Sequence, residues 1–133
     1  MRTIKTDELI LQMIAYLPDL CLDMEMGLKE YNKLTRAINF TLNENKEQIK
    51  QIFALDDLLQ NESSEDLRTI NSALNILRYT GYIKNSNNDA VTFDKYKIIK
   101  QRGEIQYSIG NQYNTGEQNL IKYLGKTLAQ NLS

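Results

Sequence analysis

A chain of 133 residues fits one domain, 1–133, with a core of its own, and a composition 41% hydrophobic and 25% charged excludes a disordered polymer. Its one cysteine, Cys21, excludes an intrachain disulfide and favours a reducing, cytoplasmic setting; acids near the start argue against a signal peptide, and no apolar run matches a membrane span. The formal net charge of −1 argues against indiscriminate nucleic-acid binding, yet residues 1–77 hold 8 basic and 13 acidic side chains while residues 78–133 hold 8 and 4. Such polarity lets one end meet phosphate while the other repels it, although a solvated surface of ordinary composition carries the same excess.

In chain order, Thr6 followed by Asp7 and Glu8 reads as a helix N-cap with two acids in the first turn. Leu9, Ile10, Met13, Ile14 and Leu17 keep helical spacing until Pro18. A second periodic stretch, Met24, Leu28, Tyr31, Leu34, Ile38 and Leu42, predicts a longer helix against the first, interrupted at Asn43-Glu44-Asn45. Ile49, Ile52 and Phe53 fit either a short helix or a helix running into a strand.

Leu55, Leu58 and Leu59 then predict a brief helix, with Asp56 and Asp57 in its first turn. After the polar break 61–64, Ser63 or Ser64 caps a new helix whose dipole Glu65 and Asp66 complement. Leu67, Ile70, Ala73, Leu74 and Leu77 line one face, and Gly81 supplies the left-handed residue that ends it. Tyr82-Ile83-Lys84 starts a strand, 85–89 is turn material, and 90–93 returns.

Short helix, polar turn, longer helix with a leucine face, terminal glycine and polar hairpin: in this order residues 55–93 resemble a bacterial winged helix-turn-helix. The residues carrying the resemblance are the DDLL segment, RTINSALNILRYTGYI and the hairpin after it, and VTFDKYKIIKQRGE is similar to the exit of such domains into a further helix, here 94–102. The fold class expected is mainly α with a small β-hairpin. A winged core at about 45–103 is flanked by helices within 6–42 and a helix at about 117–132.

The resemblance implies that the second helix lies in the major groove of double-stranded DNA. Its outward residues are Arg68, Thr69, Asn71, Ser72, Asn75 and Arg78. Arginine pairs two donors with guanine and asparagine pairs donor and acceptor with adenine, although the same residues also suit a merely solvated face. Lys84 and the hairpin tip to Asn88 could touch a neighbouring groove or phosphate, but one lysine followed by Asp89 is a weak wing charge. Lys95, Lys97, Lys100 and Arg102 form the densest basic run, readable as a phosphate edge or as an ordinary soluble face.

Residues 104–116 read as a strand or extended loop, whose Tyr107 and Tyr113 suit a pocket or plain packing. Leu120, Leu124 and Leu128, four apart and joined by Ile121 and Leu132, form a stripe that needs a partner surface. The first two helices could supply it, or a second protomer could, since winged-helix regulators commonly dimerise through terminal helices.

No enzyme is expected. The chain lacks histidine, so the usual general base and commonest metal ligand are missing, and neither cofactor nor metal is called for. Cys21 between leucines reads as a small core residue. Gly125-Lys126-Thr127 matches the end of a phosphate loop by chance, because the earlier glycine would fall at Leu120. The reading is therefore a cytoplasmic DNA-binding dimer regulating transcription or a mobile element. The alternatives are a winged-helix protein-interaction module, or a phage or plasmid accessory protein without DNA binding.

Overall fold

The chain begins with strand β1 (Arg2–Ile4) and helix α1 (Thr6–Ala15). The computed structural model describes residues 1–60, 63–86, 90–107 and 113–133, with backbone alone at 103–107. Lys5, not Thr6, occupies the N-cap of α1 and gives no side-chain cap, while Asp7 and Glu8 do lie in the first turn. The helix stops at Ala15 ahead of Pro18, whose ring disfavours helical backbone before it. Arg102 covers that end, donating from Nε to the Ala15 carbonyl and from Nη2 to Leu17 O at 2.8 Å.

A short helix α2 (Asp19–Leu22) leads to strand β2 (Glu25–Met26) and helix α3 (Leu28–Glu44). The expected helix therefore starts later than Met24. Glu25 and Met26 are taken instead by distant pairing, opposite Thr92 and Val91, which no local periodicity can report. Asn45 ends α3 and begins α4 (Lys46–Ile52), which runs straight into β3 (Phe53–Leu55). Of the two readings for Ile49 to Phe53, the helix running into a strand is the one found. β3 pairs in parallel with β1, Arg2 opposite Phe53 and Ile4 opposite Leu55.

The brief helix expected over Leu55–Leu59 is absent. Leu55 belongs to β3, and the chain then bends through 56–60, so Asp56 and Asp57 are not in a helical first turn. Leu58 and Leu59 are buried, and Leu59 takes a left-handed φ of 62°, a strained conformation for leucine. Burial of both side chains and a tether from Asp66 explain how the bend holds: the Leu59 N–H donates to Asp66 Oδ1 at 3.0 Å.

Helix α5 (Ser63–Tyr79) buries Ile70, Ala73, Leu74 and Leu77 against α1 and α3, with Leu67 partly covered. It closes as foreseen: Gly81 has φ 88°, Tyr82 N donates to Leu77 O at 2.9 Å and Gly81 N to Arg78 O at 3.2 Å. Strands β4 (Ile83–Asn85) and β5 (Val91–Phe93) form the hairpin, and β2 pairs on the other edge of β5, giving the order β2-β5-β4. The tip residues 87–89, Asn88 and Asp89 included, lie outside those described.

Helix α6 (Lys95–Tyr107) is longer than foreseen and takes in 104–107, which had read as strand or loop; 108–112 lie outside the described residues. Helix α7 (Thr115–Leu132) starts on a full capping box, in which Glu117 N donates to Asn114 Oδ1 at 2.8 Å and Asn114 N to Glu117 Oε1 at 2.9 Å. Leu120, Ile121, Leu124 and Leu128 are buried, and α7 packs on α1 and α3 of its own chain. Gly125 permits the contact, since a Cβ there would lie 2.6 Å from Tyr16 Cβ and 2.8 Å from Met13 O. Tyr113 is also core: it meets Phe53 edge-on at 6.4 Å, lies under the Arg2 guanidinium and donates to the Glu8 carboxylate. Cys21 is only partly buried beside the core.

The molecule is thus mainly helical with a small antiparallel sheet. Among the described residues no helix is long and apolar enough to cross a membrane.

Candidate nucleic-acid interface

The outward face of α5 follows from its inward one. At 3.6 residues per turn, burial of Ile70, Leu74 and Leu77 turns Arg68, Ser72, Asn75 and Tyr79 away from the core, with Asn71 and Arg78 on one flank and Thr69 and Ile76 on the other. All six residues expected to point outward are at least partly exposed, but their surroundings divide them.

Arg68 and Asn75, seven residues apart, stand at the centre of the face, exposed and without a side-chain hydrogen bond or ion pair among the described residues. The hydroxyls of Thr69 and Ser72 fold back onto carbonyls four residues earlier, Thr69 Oγ1 to Glu65 O at 3.4 Å and Ser72 Oγ to Arg68 O at 3.1 Å. Asn71 leans towards α3, where its Oδ1 accepts from Thr35 Oγ1 at 3.3 Å. Arg78 is committed within the fold. Its Nη2 donates to Asn85 Oδ1 at 2.7 Å, and its guanidinium lies 5.7 Å from the centre of the Tyr31 ring. Burial pushes the Tyr31 phenol up, and the nearby Arg78 charge opposes that shift.

Lys84, the cation expected at the wing, is occupied as well, with Nζ 2.9 Å from Asp94 Oδ2. The Asp94 carboxyl is held below its usual range first by the Lys97 backbone N–H, 3.0 Å from Oδ1, and then by Lys84. The basic run that follows is largely consumed inside the molecule. Lys95 meets Asp23 at 3.0 Å and Asp19 at 3.9 Å, Lys97 donates to Thr80 O over the Tyr82 ring, and Arg102 caps α1. Lys100 alone of the four is exposed with no partner among the described residues.

Two features escaped the sequence. Tyr79 is 94% exposed on the same face as Asn75, although aromatic residues ordinarily read as core; its place in the helical period, opposite Ile70, was the available signal. The second is a cleft of about 300 Å³ with more acids than bases, in which Asp7, Asp56 and Asp57, together with Lys5, border Thr69, Ser72 and Ile76 on one flank of α5. Only the three-dimensional fold joins residues 7, 56 and 69. Comparison with family models, curated proteins and solved structures finds no match for this chain.

Proposed function

We propose that the chain is a winged-helix DNA-binding protein that acts as a dimer, with α5 as the helix entering the major groove and the β4–β5 hairpin as the wing. In this role it regulates transcription or a mobile-element function. The observation that carries the reading is the sheet order β2-β5-β4 around α5. A strand from between the first helices closes one edge of the hairpin, the hairpin follows the candidate reading helix at once, and the outer face of that helix stays uncovered. In this arrangement α3, not residues 55–59, is the helix packed ahead of the reader, and α4, β3 and the bend at 56–60 are inserted between them.

Arg68 and Asn75 are assigned to base edges, since their donors and acceptors are unspent and their types suit guanine and adenine. Tyr79 and Lys100 are assigned to sugar and phosphate. Arg78 and Lys84, which had counted among the readers, are assigned instead to holding the wing against α5 and α6.

The test is binding to random and selected duplexes followed by fluorescence anisotropy across salt concentrations. Affinity is expected to fall linearly with salt on logarithmic axes, and Arg68→Ala to cost about 1–3 kcal/mol on a selected site while leaving the circular dichroism spectrum unchanged. Absence of binding at low salt overturns the reading. A specific observation then favours a second one: the carboxylates of Asp7, Asp56 and Asp57 beside α5 repel phosphate and suit a basic protein partner.

A further inference from the structure

The leucine stripe of α7 is spent inside the molecule, so a dimer needs another surface. The outer side of α7 meets the C-terminal part of α3 and the start of α4 across a groove of about 580 Å³. Two aromatic rings stand in its lining, Phe40 at 58% and Tyr123 at 52% exposure. Other large exposed apolar side chains, such as Leu20, Tyr79 and Tyr96, do not share a described cleft with one another. The rest of the lining is amide-rich, through Asn45, Gln48, Gln130 and Asn131, with one carboxylate, Glu44, and one ammonium, Lys126. Both charged residues are exposed and neither has an ion-pair partner among the described residues.

We propose that this groove is the interface between two copies of the chain, related by a two-fold axis over it. The groove carries its own complement. Under a two-fold operation Glu44 of each copy faces Lys126 of the other, and each Tyr123 ring enters the groove beside the other copy's Phe40. A balanced pair of opposite charges offers little to phosphate, whereas aromatic rings ringed by amides match the composition of protein interfaces. α3 packs on both α5 and α7, so the groove leaves the outer face of α5 uncovered.

The inference deepens the dimeric reading above, yet its test does not depend on DNA. Sedimentation equilibrium of the full chain is expected to show a monomer–dimer system. Glu44→Lys and Lys126→Glu, each placing like charges together twice across the axis, should weaken it by at least about tenfold. Combining Glu44→Lys with Lys126→Glu should restore dimerisation, and Tyr123→Ala should weaken it with an unchanged circular dichroism spectrum. A wild-type monomer at all concentrations, a dimer indifferent to the single reversals, or a double variant no better than the singles overturns the interface. DNA binding measured on the same variants separates the two ideas: an intact dimer that ignores DNA removes the DNA reading alone, a dimer that binds DNA but ignores the charge reversals removes this interface alone, and a monomer that binds DNA removes the dimer from both while leaving the DNA contact standing.

Discussion

Tyr113 shows how one side chain can tie the ends of the fold together and make stability depend on pH. Its phenol is buried, packs on Phe53 and donates to the Glu8 carboxylate, and these surroundings raise its pKa well above the ordinary value, burial first and Glu8 second. A tyrosine whose folded-state pKa is raised contributes stability that is fully present below the unfolded value, about 10, and is lost as pH rises beyond it. Urea midpoints are therefore expected to fall between neutral and strongly alkaline pH. Tyr113→Phe should be less stable near pH 8 by about 1–3 kcal/mol, through loss of a hydrogen bond to a charged group, and should show a shallower alkaline decline. Tyr31, also raised by burial, keeps part of the slope. An unchanged slope in Tyr113→Phe would assign the effect elsewhere. The sequence left Tyr113 between pocket and packing because its partners, Glu8 and Phe53, are far from it in the chain.

At the scale of elements, legibility tracked the range of the interactions that decide each one. Helix α5 was readable nearly end to end, because its apolar face, its acidic first turn and the Gly81 terminator are all local. α7 was readable for the same reason. β1 and β2 were not, and β3 only as one of two options at Phe53: each has two or three residues, and each exists only through a partner strand distant in sequence. The helix expected at 55–59 failed because Leu58 and Leu59 are buried on a bend, and a leucine run alone cannot tell a bend from a turn of helix. Of the site, Arg68 and Asn75 were legible as outward residues, whereas the capture of Arg78 by Asn85 and of Lys84 by Asp94 depends on the hairpin folding back. The α1–α7 contact supplies a prediction of its own. Gly125→Ala gains about 1 kcal/mol of helix propensity but drives a methyl group into Tyr16 Cβ and the Met13 carbonyl, which costs about 1–3 kcal/mol. A lower thermal midpoint is expected, and an equal or higher one would mean that the two helices separate freely.

Across the whole molecule much of the positive charge of residues 78–133 is engaged by partners within the chain, where lysines and arginines tie α6 to α1, to the hairpin and to the acids at 19 and 23. Charge counted along the chain therefore overstated the cations available to phosphate, and a DNA reading rests on a narrow strip of α5. Asp66 has a wider reach than its position at the start of that helix suggested. It is 1% exposed, and its two oxygens receive the Leu59 N–H and, at 3.2 Å, Asn43 Nδ2, so one carboxylate joins the bend at 56–60, α3 and α5. The bend cannot then close until both helices are docked, and it should not open alone. Amide hydrogen exchange makes this visible: the Leu59 amide is expected to exchange only through global unfolding, as slowly as amides in the middle of α1. Asp66→Ala leaves that N–H buried without an acceptor, lowers stability by about 1–3 kcal/mol and frees Leu59 to exchange by local opening. Fast exchange at Leu59 in the wild type would show the bend fraying by itself. If it does not fray, the left-handed leucine, the buried carboxylate and the two helices it joins form a single cooperative unit, and α5 cannot lose its seating without the rest of the fold going with it.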